Sequence, residues 1–382
     1  MLEKADAVVV GGGIIGVSVA FYLAREKYGQ VVLLEKETLL GTGATCKAAG
    51  GIRAQFSDKT NIQMSMLSEE IFARFKDETG HEALFDQVGY MFCLKDDADI
   101  ERFTKSYELQ KSVGLNVSML KPDEIPQHAP HIALDGIRQA TFCPTDGLGD
   151  PAEFLTGYEK AGRELGVKIM IETELNGINV EGGKITGVKT SRGDIACPTV
   201  VDCAGPLSRF VAQMAGTDIP VEPIRRQIVT TGPLEFVKPF FPMVVDVKSG
   251  LYCHKESKGM LLGWADPAVE PSTDISIDPD YTDAILERAL DLIPQLEEAE
   301  VANQWAGLYE VTPDHRAIIG PNPELSSLFH VTGFSGHGFM HAPAAGLVAA
   351  QTLTGQAPAV DIGSLSPDRF KDAELSIETN VI

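Results

Sequence analysis

The sequence predicts an α/β (α+β) fold built on a Rossmann-like nucleotide-binding unit, and three observations carry that expectation. Gly11, Gly13 and Gly16 stand in G-x-G-x-x-G spacing directly after the apolar run AVVV. A second apolar run, VVLLE, closes on the acidic Glu35 about 20 residues further on, the distance a dinucleotide fingerprint requires. Strand-like runs and amphipathic helical segments then alternate along the chain.

Taken in order, Ala7–Val10 reads as a buried strand, followed by a glycine turn, a helix over Ile14–Arg25 and a strand over Val31–Glu35. Gly11 permits the turn, Gly13 lets the backbone approach a pyrophosphate, and Gly16 lets the helix pack close to the strand. Glu35 is placed to accept a hydrogen bond from a ribose hydroxyl. The stretch Ala7–Ala24 is uncharged and nearly long enough to cross a bilayer. Its three consecutive glycines oppose one continuous helix, at about 1 kcal/mol each relative to alanine, and Glu3, Lys4 and Asp6 make no basic leader.

Further strands are predicted over Gly89–Leu94, Lys168–Glu172, Ile185–Thr190, Thr199–Asp202, Gln227–Thr231, Gly259–Gly263 and Leu328–Thr332. Helices are predicted over Asn61–Thr79, Pro151–Leu165, Tyr281–Ile293 and Ala344–Thr354. Glu174–Thr190 reads as a hairpin turning at Gly182–Gly183, inside the nucleotide unit. The run VVDCAGPLS ends a strand at Ala204–Gly205, on the sheet edge where ligands bind. Phe334–His341 is a glycine-rich loop leading into a helix whose first turn takes Pro343; it reads either as a structural glycine turn or as a helix start whose free amides would face an anion.

At 382 residues the chain is long enough for two domains. A formal charge of −22 repels nucleic acid and anionic membrane, so neither is an expected partner. No transmembrane segment is expected. The six cysteines form no C-x-x-C pair, so no zinc or iron–sulfur motif is visible and no metal site is expected. They read as reduced thiols of a cytoplasmic protein. Cys46, in a glycine-rich loop, reads as a buried structural thiol.

Six segments carry a resemblance: VVVGGGIIG; VVLLEK with GTGATCKAAGGIRAQF; CPTDGLGDPAEF; VVDCAGPLS; WAGLYEVTPDHRAIIGP; and VTGFSGHGFMHAPAAG. Together they resemble the FAD-dependent oxidoreductases of the D-amino-acid oxidase superfamily, nearest to the sarcosine oxidase β subunit and the β subunit of multimeric L-proline dehydrogenase. The resemblance implies two interleaved domains. Residues 1–85, 145–215 and 300–365 would form the FAD-binding domain, 86–144 and 216–299 an antiparallel-sheet substrate domain, and 366–382 a C-terminal tail.

It implies FAD contacts from Gly11, Gly13, Ile14, Ile15 and Gly16, from Glu35 and Lys36, and from Thr42, Gly43, Ala44 and Thr45. Further contacts are implied at Ala49, Gly50, Gly51, Ile52, Arg53, Leu175, Ala204, Gly205 and Leu308, and at Gly336, His337, Gly338, Phe339 and Met340. Arg53 is implied to stand beside the flavin ring, with a surface ion pair as the other reading. His337 either orients its loop or touches flavin or substrate. Tyr252 and His254 are substrate-side candidates, with Arg225 and Arg226 behind them; each also has a structural reading. Asp314 is expected to brace the turn after Thr312–Pro313.

Three departures from the resembling enzymes shape the function expected. Monomeric sarcosine oxidases bond FAD through a cysteine where this chain has Gly307, so FAD is expected to be non-covalent. Their oxygen-activating lysine aligns with Leu261, which implies a dehydrogenase. Two substrate-carboxylate cations are replaced by Met340 and Phe56. The expected reaction is hydride transfer to flavin N5 from the C–N bond of a secondary or tertiary amino acid, sarcosine-, N-methyl- or L-proline-like. Electrons would leave through partner subunits carrying FMN or iron–sulfur centres, with FMN held at a subunit interface. Two rival readings stay open: a 2-hydroxy acid dehydrogenase on the same fold, and an FAD-holding subunit whose partner does the catalysis.

Overall fold

In a computed structural model, which describes residues 3–371 and 374–381, the apolar runs assemble into a six-stranded sheet. The outermost residues of the expected ranges 1–85 and 366–382 lie outside the described residues. The strand order is Lys168–Met170, Val31–Leu34, Ala7–Val10, Val200–Asp202, Leu328–Thr332 and Ile318–Pro321. All neighbours run parallel except the last pair. The central strands are covered on both faces, which is why they read as unbroken apolar runs rather than as alternation.

One face carries the helices Ile14–Arg25, Pro151–Glu164 and Gly338–Leu353, joined in a single apolar cluster with Phe72, Phe75 and Phe154. Gly346 lets the first and last of these helices touch, since a Cβ there would run into Ser18 Oγ; that hydroxyl instead donates to Ala342 O at 2.8 Å. The other face is covered by a four-stranded sheet of Glu3–Lys4, Gly193–Ala196, Lys184–Thr190 and Leu175–Glu181. Its hairpin turns at Gly182 and Gly183, both with positive φ, as predicted.

An eight-stranded sheet forms the second layer system, in the order Val301–Val311, Glu222–Thr231, Gly259–Trp264, Leu251–Glu256, Met243–Asp246, Tyr90–Leu94, Gln139–Cys143 and Ser118–Leu120. Only Met243–Asp246 against Tyr90–Leu94 is parallel. The helix Pro279–Leu292 packs on one face of this sheet; the other presents Tyr90, Ile228, Met243 and Tyr252. A small sheet of Gly51–Ile52, Gly147–Gly149 and Phe85–Asp86 lies between the two large ones in sequence.

Five expectations change. Asn61–Thr79 is two helices, Lys59–Ala73 and Phe75–Thr79, because Arg74 leaves helical geometry; the bend lets Phe75 meet the rings of Phe154 and Tyr158 at 4.8 and 5.0 Å. The last long helix begins at Gly338 rather than Ala344, so Pro343 lies inside it and deprives the Phe339 carbonyl of its i+4 donor. The strand beginning at Lys168 stops at Met170, and Glu172 turns to φ +50°. Val301–Val311, grouped above with the FAD-binding segments, is the edge strand of the eight-stranded sheet, paired along its length with Glu222–Thr231. Cys46 is exposed, unlike the other five cysteines, which are buried. Among the described residues no helix is long and apolar enough to cross a membrane.

Candidate active site

One cavity of about 890 Å³ runs from the first glycine turn to the inner face of the eight-stranded sheet. That size falls within the roughly 300–1,000 Å³ usual for small-molecule sites. At the nucleotide end the walls are backbone. Gly11 has φ +108°, and a Cβ there would collide with the Cys203 carbonyl; a Cβ on Gly16 would run into the Gly11 carbonyl. These two glycines therefore serve packing, and Gly16 itself does not line the cavity. Gly13 differs: a Cβ there would meet only Thr45 Oγ1, at 3.1 Å. Gly13, Ile14 and Ile15 line the cavity at the uncapped start of the Ile14–Arg25 helix, a place suited to phosphate. Ile14 N–H donates to Thr45 Oγ1 at 3.0 Å, which ties the second glycine segment to the first.

Glu35 lies at the same end. Its Oε2 accepts the Gly12 N–H and its Oε1 the Glu37 N–H, both at 2.8 Å, so each oxygen keeps a lone pair for a hydroxyl donor. The predicted contacts Lys36, Thr42, Gly43, Ala44, Thr45, Ala49, Gly50, Gly51, Arg53, Leu175, Ala204, Gly205, Leu308 and Gly336–Met340 all line this cavity. Ile52 does not: its side chain is fully buried in the helical core instead. Strand alternation explains the change, since Gly51 and Arg53 face the cavity and the residue between them faces away.

The start of the Gly338–Leu353 helix closes the middle of the cavity. Gly336, at φ +97°, is forced by its neighbour, because a Cβ would enter the Tyr309 ring. His337 is 2% exposed and its Nε2 has no hydrogen-bond partner. Burial, then His341 and Arg53, hold His337 well below the usual imidazole value, so it is a neutral group. His341, likewise depressed to about 3, shares a hydrogen bond of 2.7 Å between its Nε2 and Ser65 Oγ. Burial pushes the carboxyl of Glu310, a cavity residue bonded by Thr332 Oγ1 at 2.8 Å, up to about 7.

The far end is made of side chains. Arg53 is 3% exposed, donates Nη1 to Gln55 O at 3.1 Å and Nη2 to Asn380 O at 2.6 Å, and lies 3.9 Å over the Phe56 ring. Arg226 lines the same space, 5.3 Å from the Tyr309 ring, with a buried Nε that has no partner. Among the described residues neither guanidinium has a carboxylate partner. Tyr90, Tyr252, Tyr309 and Met243 complete the wall. Behind Arg53, Gln55 Nε2 donates to Tyr90 O and to Asp146 Oδ2, at 2.8 and 3.0 Å. Asp146 and Glu69 form a buried acidic pair whose carboxyls are both raised, chiefly by desolvation.

Several substrate-side expectations move. His254 is buried and outside the cavity; its Nδ1 bonds to Lys255 O at 2.7 Å, and burial lowers its pKa. Phe56 also does not line the cavity; it packs against Arg53, His337 and His341. Arg225 points away and pairs with Asp278 at 3.3 Å. Leu261 is buried in the apolar cluster with Tyr90 and Tyr252; besides Lys36 at the nucleotide end, Lys47 lines the cavity, beside Gly307. Asp314 is fully buried and holds Arg369 at 2.7 Å while accepting the Arg316 N–H, so it braces its turn as expected. Tyr309, Glu310 and Val381 are cavity residues that sequence reasoning missed, and Arg226 is one it offered only as a weaker candidate beside Arg225. The pair RR in PIRRQIV was the one signal, and only the strand register tells which arginine faces inward.

Residues 6–352 match the family model described as DAO, FAD dependent oxidoreductase. The fold superposes on the crystal structure of L-proline dehydrogenase from P. horikoshii with a TM-score of 0.92 and 33% identity, covering 98% of this chain and 100% of that one. FAD-dependent oxidoreductase domain-containing protein 1 of Xenopus laevis is 27% identical across 100% of this chain and 85% of its own length. Mitochondrial sarcosine dehydrogenase of Mus musculus is 27% identical across 96% of this chain, which spans 42% of that protein.

Proposed function

This chain belongs to the DAO family of FAD-dependent oxidoreductases, and from that premise we propose that it oxidises the C–N bond of a secondary or tertiary amino acid. One observation carries the reading: two guanidinium groups without carboxylate partners among the described residues, Arg53 and Arg226, share one aromatic-lined cavity. A cation held partly out of water with no counter-ion is costly, and an anionic ligand offsets that cost.

The residues present fit FAD. The glycine turn and two uncapped helix starts would take its pyrophosphate and the electron-rich edge of its ring, and Glu35 its ribose. Gly307 offers no side chain for a covalent link, which supports non-covalent binding. When bound, FAD supplies the two-electron acceptor for the chemistry. Arg226 anchors the substrate carboxylate, and Tyr252 and Tyr309 flank it. Arg53 supplies a fixed positive charge where negative charge develops. The aromatic wall disfavours the ammonium form, so the substrate nitrogen is held neutral with its lone pair free. The carbon beside nitrogen loses its hydrogen with the electron pair, leaving an iminium that water can hydrolyse. Sarcosine, N-methyl amino acids and L-proline are the substrate class, in line with what two similar proteins are named for.

Electrons then pass to a partner subunit carrying FMN or an iron–sulfur centre, or to a soluble carrier, in preference to oxygen. The dehydrogenase names of the similar proteins support this. Fast reoxidation of the reduced chain by air would overturn it, and Lys47 is then the residue to replace. The substrate reading is tested by anaerobic stopped-flow reduction with L-proline, sarcosine, N,N-dimethylglycine and, as a hydroxy acid control, L-lactate. Reduction by an amine in the isolated chain is expected, and reduction by L-lactate alone would overturn the reading. With the reducing amine, Arg226→Met is expected to raise KM at least tenfold with kcat within about threefold, the pattern of a lost ground-state anchor. An unchanged KM removes Arg226 from the role.

A further inference from the structure

We propose that residues 374–381 are a working part of the active site, with Asn380 positioning Arg53 and Val381 walling the substrate end of the cavity. This rests on Arg53 acting beside the reacting centre, as argued above. The segment is held by specific bonds rather than by simple surface contact. Glu378 is fully buried; its Oε1 accepts the N–H and hydroxyl of Ser57, and its Oε2 accepts Asn61 Nδ2 at 3.0 Å. Its own N–H donates to Asp314 O at 2.9 Å. The carboxylate thus sits at the start of the Lys59–Ala73 helix, where a negative charge is favoured. Thr379 N–H donates to Ser57 Oγ at 3.0 Å, and Arg102 donates to Thr379 O.

Those anchors carry Asn380, 1% exposed, to the arginine. Its carbonyl accepts Arg53 Nη2 at 2.6 Å and its Nδ2 donates to Gln55 O at 3.3 Å, the carbonyl that also accepts Arg53 Nη1. Both acceptors on Arg53 are therefore neutral carbonyls. A carboxylate would orient the guanidinium equally well but cancel its charge; a carbonyl fixes the direction and leaves the charge to act on the cavity. The next residue, Val381, lines the cavity itself. The strap thus closes the site around a cation that it orients without neutralising.

The test uses the FAD-loaded chain and a probe that needs no substrate: the affinity for sulfite, read from the loss of flavin absorbance, which reports positive charge beside the ring. A chain ending at Leu375 is expected to bind sulfite at least tenfold more weakly while keeping its FAD and its far-UV circular dichroism, the loss expected when a directed charge-assisted contact is freed. A peptide of residues 376–382 added in trans is expected to restore it. In an Arg53→Ala background the truncation is expected to change sulfite affinity by less than about twofold, because both act through one group. If Arg53→Ala alone leaves sulfite binding unchanged, the arginine reading fails. If Arg53→Ala weakens it and truncation does not, the strap proposal fails. Should the shortened chain not fold, Val381→Ala, which keeps every anchor, carries the test. It is expected to shift the ratio of kcat/KM between L-proline and sarcosine by at least about threefold, and an unchanged ratio overturns the wall.

Discussion

The two ends of the cavity are built in opposite ways. The nucleotide end is made of backbone from a few short stretches, Gly11–Ile15 and Thr42–Thr45, and the start of the Gly338–Leu353 helix closes the middle. The far end is made of side chains, Arg53, Tyr90, Arg226, Tyr252, Tyr309 and Val381, carried by strands and a strap more than 300 residues apart in the chain. A site made of amides tolerates little change of shape, because a Cβ occupies the space its ligand needs. A site made of side chains can change substrate one residue at a time while the fold persists. The family resemblance accordingly extends to the cofactor, and in the function proposed the choice of amine falls to the far wall.

The largest effect expected separates two glycines of one motif. Gly11→Ala drives a Cβ into the Cys203 carbonyl at φ +108°, so the protein is expected to lose its fold or its soluble expression. Gly13→Ala meets only Thr45 Oγ1 at 3.1 Å, so the chain is expected to fold normally yet bind FAD at least about tenfold more weakly. Thermal melting with and without added FAD distinguishes the two; equal behaviour would break the division between packing and ligand glycines.

A smaller effect belongs to the acidic pair behind the far wall. Glu69 has a raised carboxyl in the folded chain, mainly from burial and then from Asp146. The folded state thus keeps a proton that the unfolded chain releases above about pH 4.5, so this group's contribution to stability falls as pH rises through and above that value. Glu69→Gln keeps the shape without the proton. Its melting temperature is expected to decline less than that of the parent between about pH 5.5 and 9, as differential scanning calorimetry at a series of pH values will show; parallel curves would remove Glu69 as the titrating group. The smallest effect is at Cys46. Only this thiol is exposed, so one equivalent of a thiol reagent is expected to react with the folded chain, and Cys46→Ser is expected to abolish that reaction with stability within about 0.5 kcal/mol. Reaction of two or more thiols before unfolding would contradict the burial of the other five.

Legibility followed the same division. The bounds of Ile14–Arg25, the hairpin at Gly182–Gly183 and many of the cavity-lining residues were readable, because each follows from local spacing, apolar runs or glycine geometry. The start of the last helix was not. Gly336 and Gly338 look like loop residues, and the close approach of Gly336 to the Tyr309 ring, just before the helix starts, exists only in the folded chain. His254 shares a strand with Tyr252, yet only the pairing geometry shows that one residue lines the cavity and the other is sealed behind it.

The sequence by itself determined the nucleotide unit, the glycine turn, the family and the cofactor, since these depend on residues close in the chain and on backbone conformations that few residues adopt. Tertiary structure alone decided which arginine faces inward at positions 225 and 226, that Arg53 is held by two carbonyls, and that a terminal segment supplies one of them. The first depends on the pairing of Arg226 with Gly307 and the last on a hydrogen bond between Arg53 and Asn380, and contacts between residues so far apart leave no period or motif in the chain that forms them.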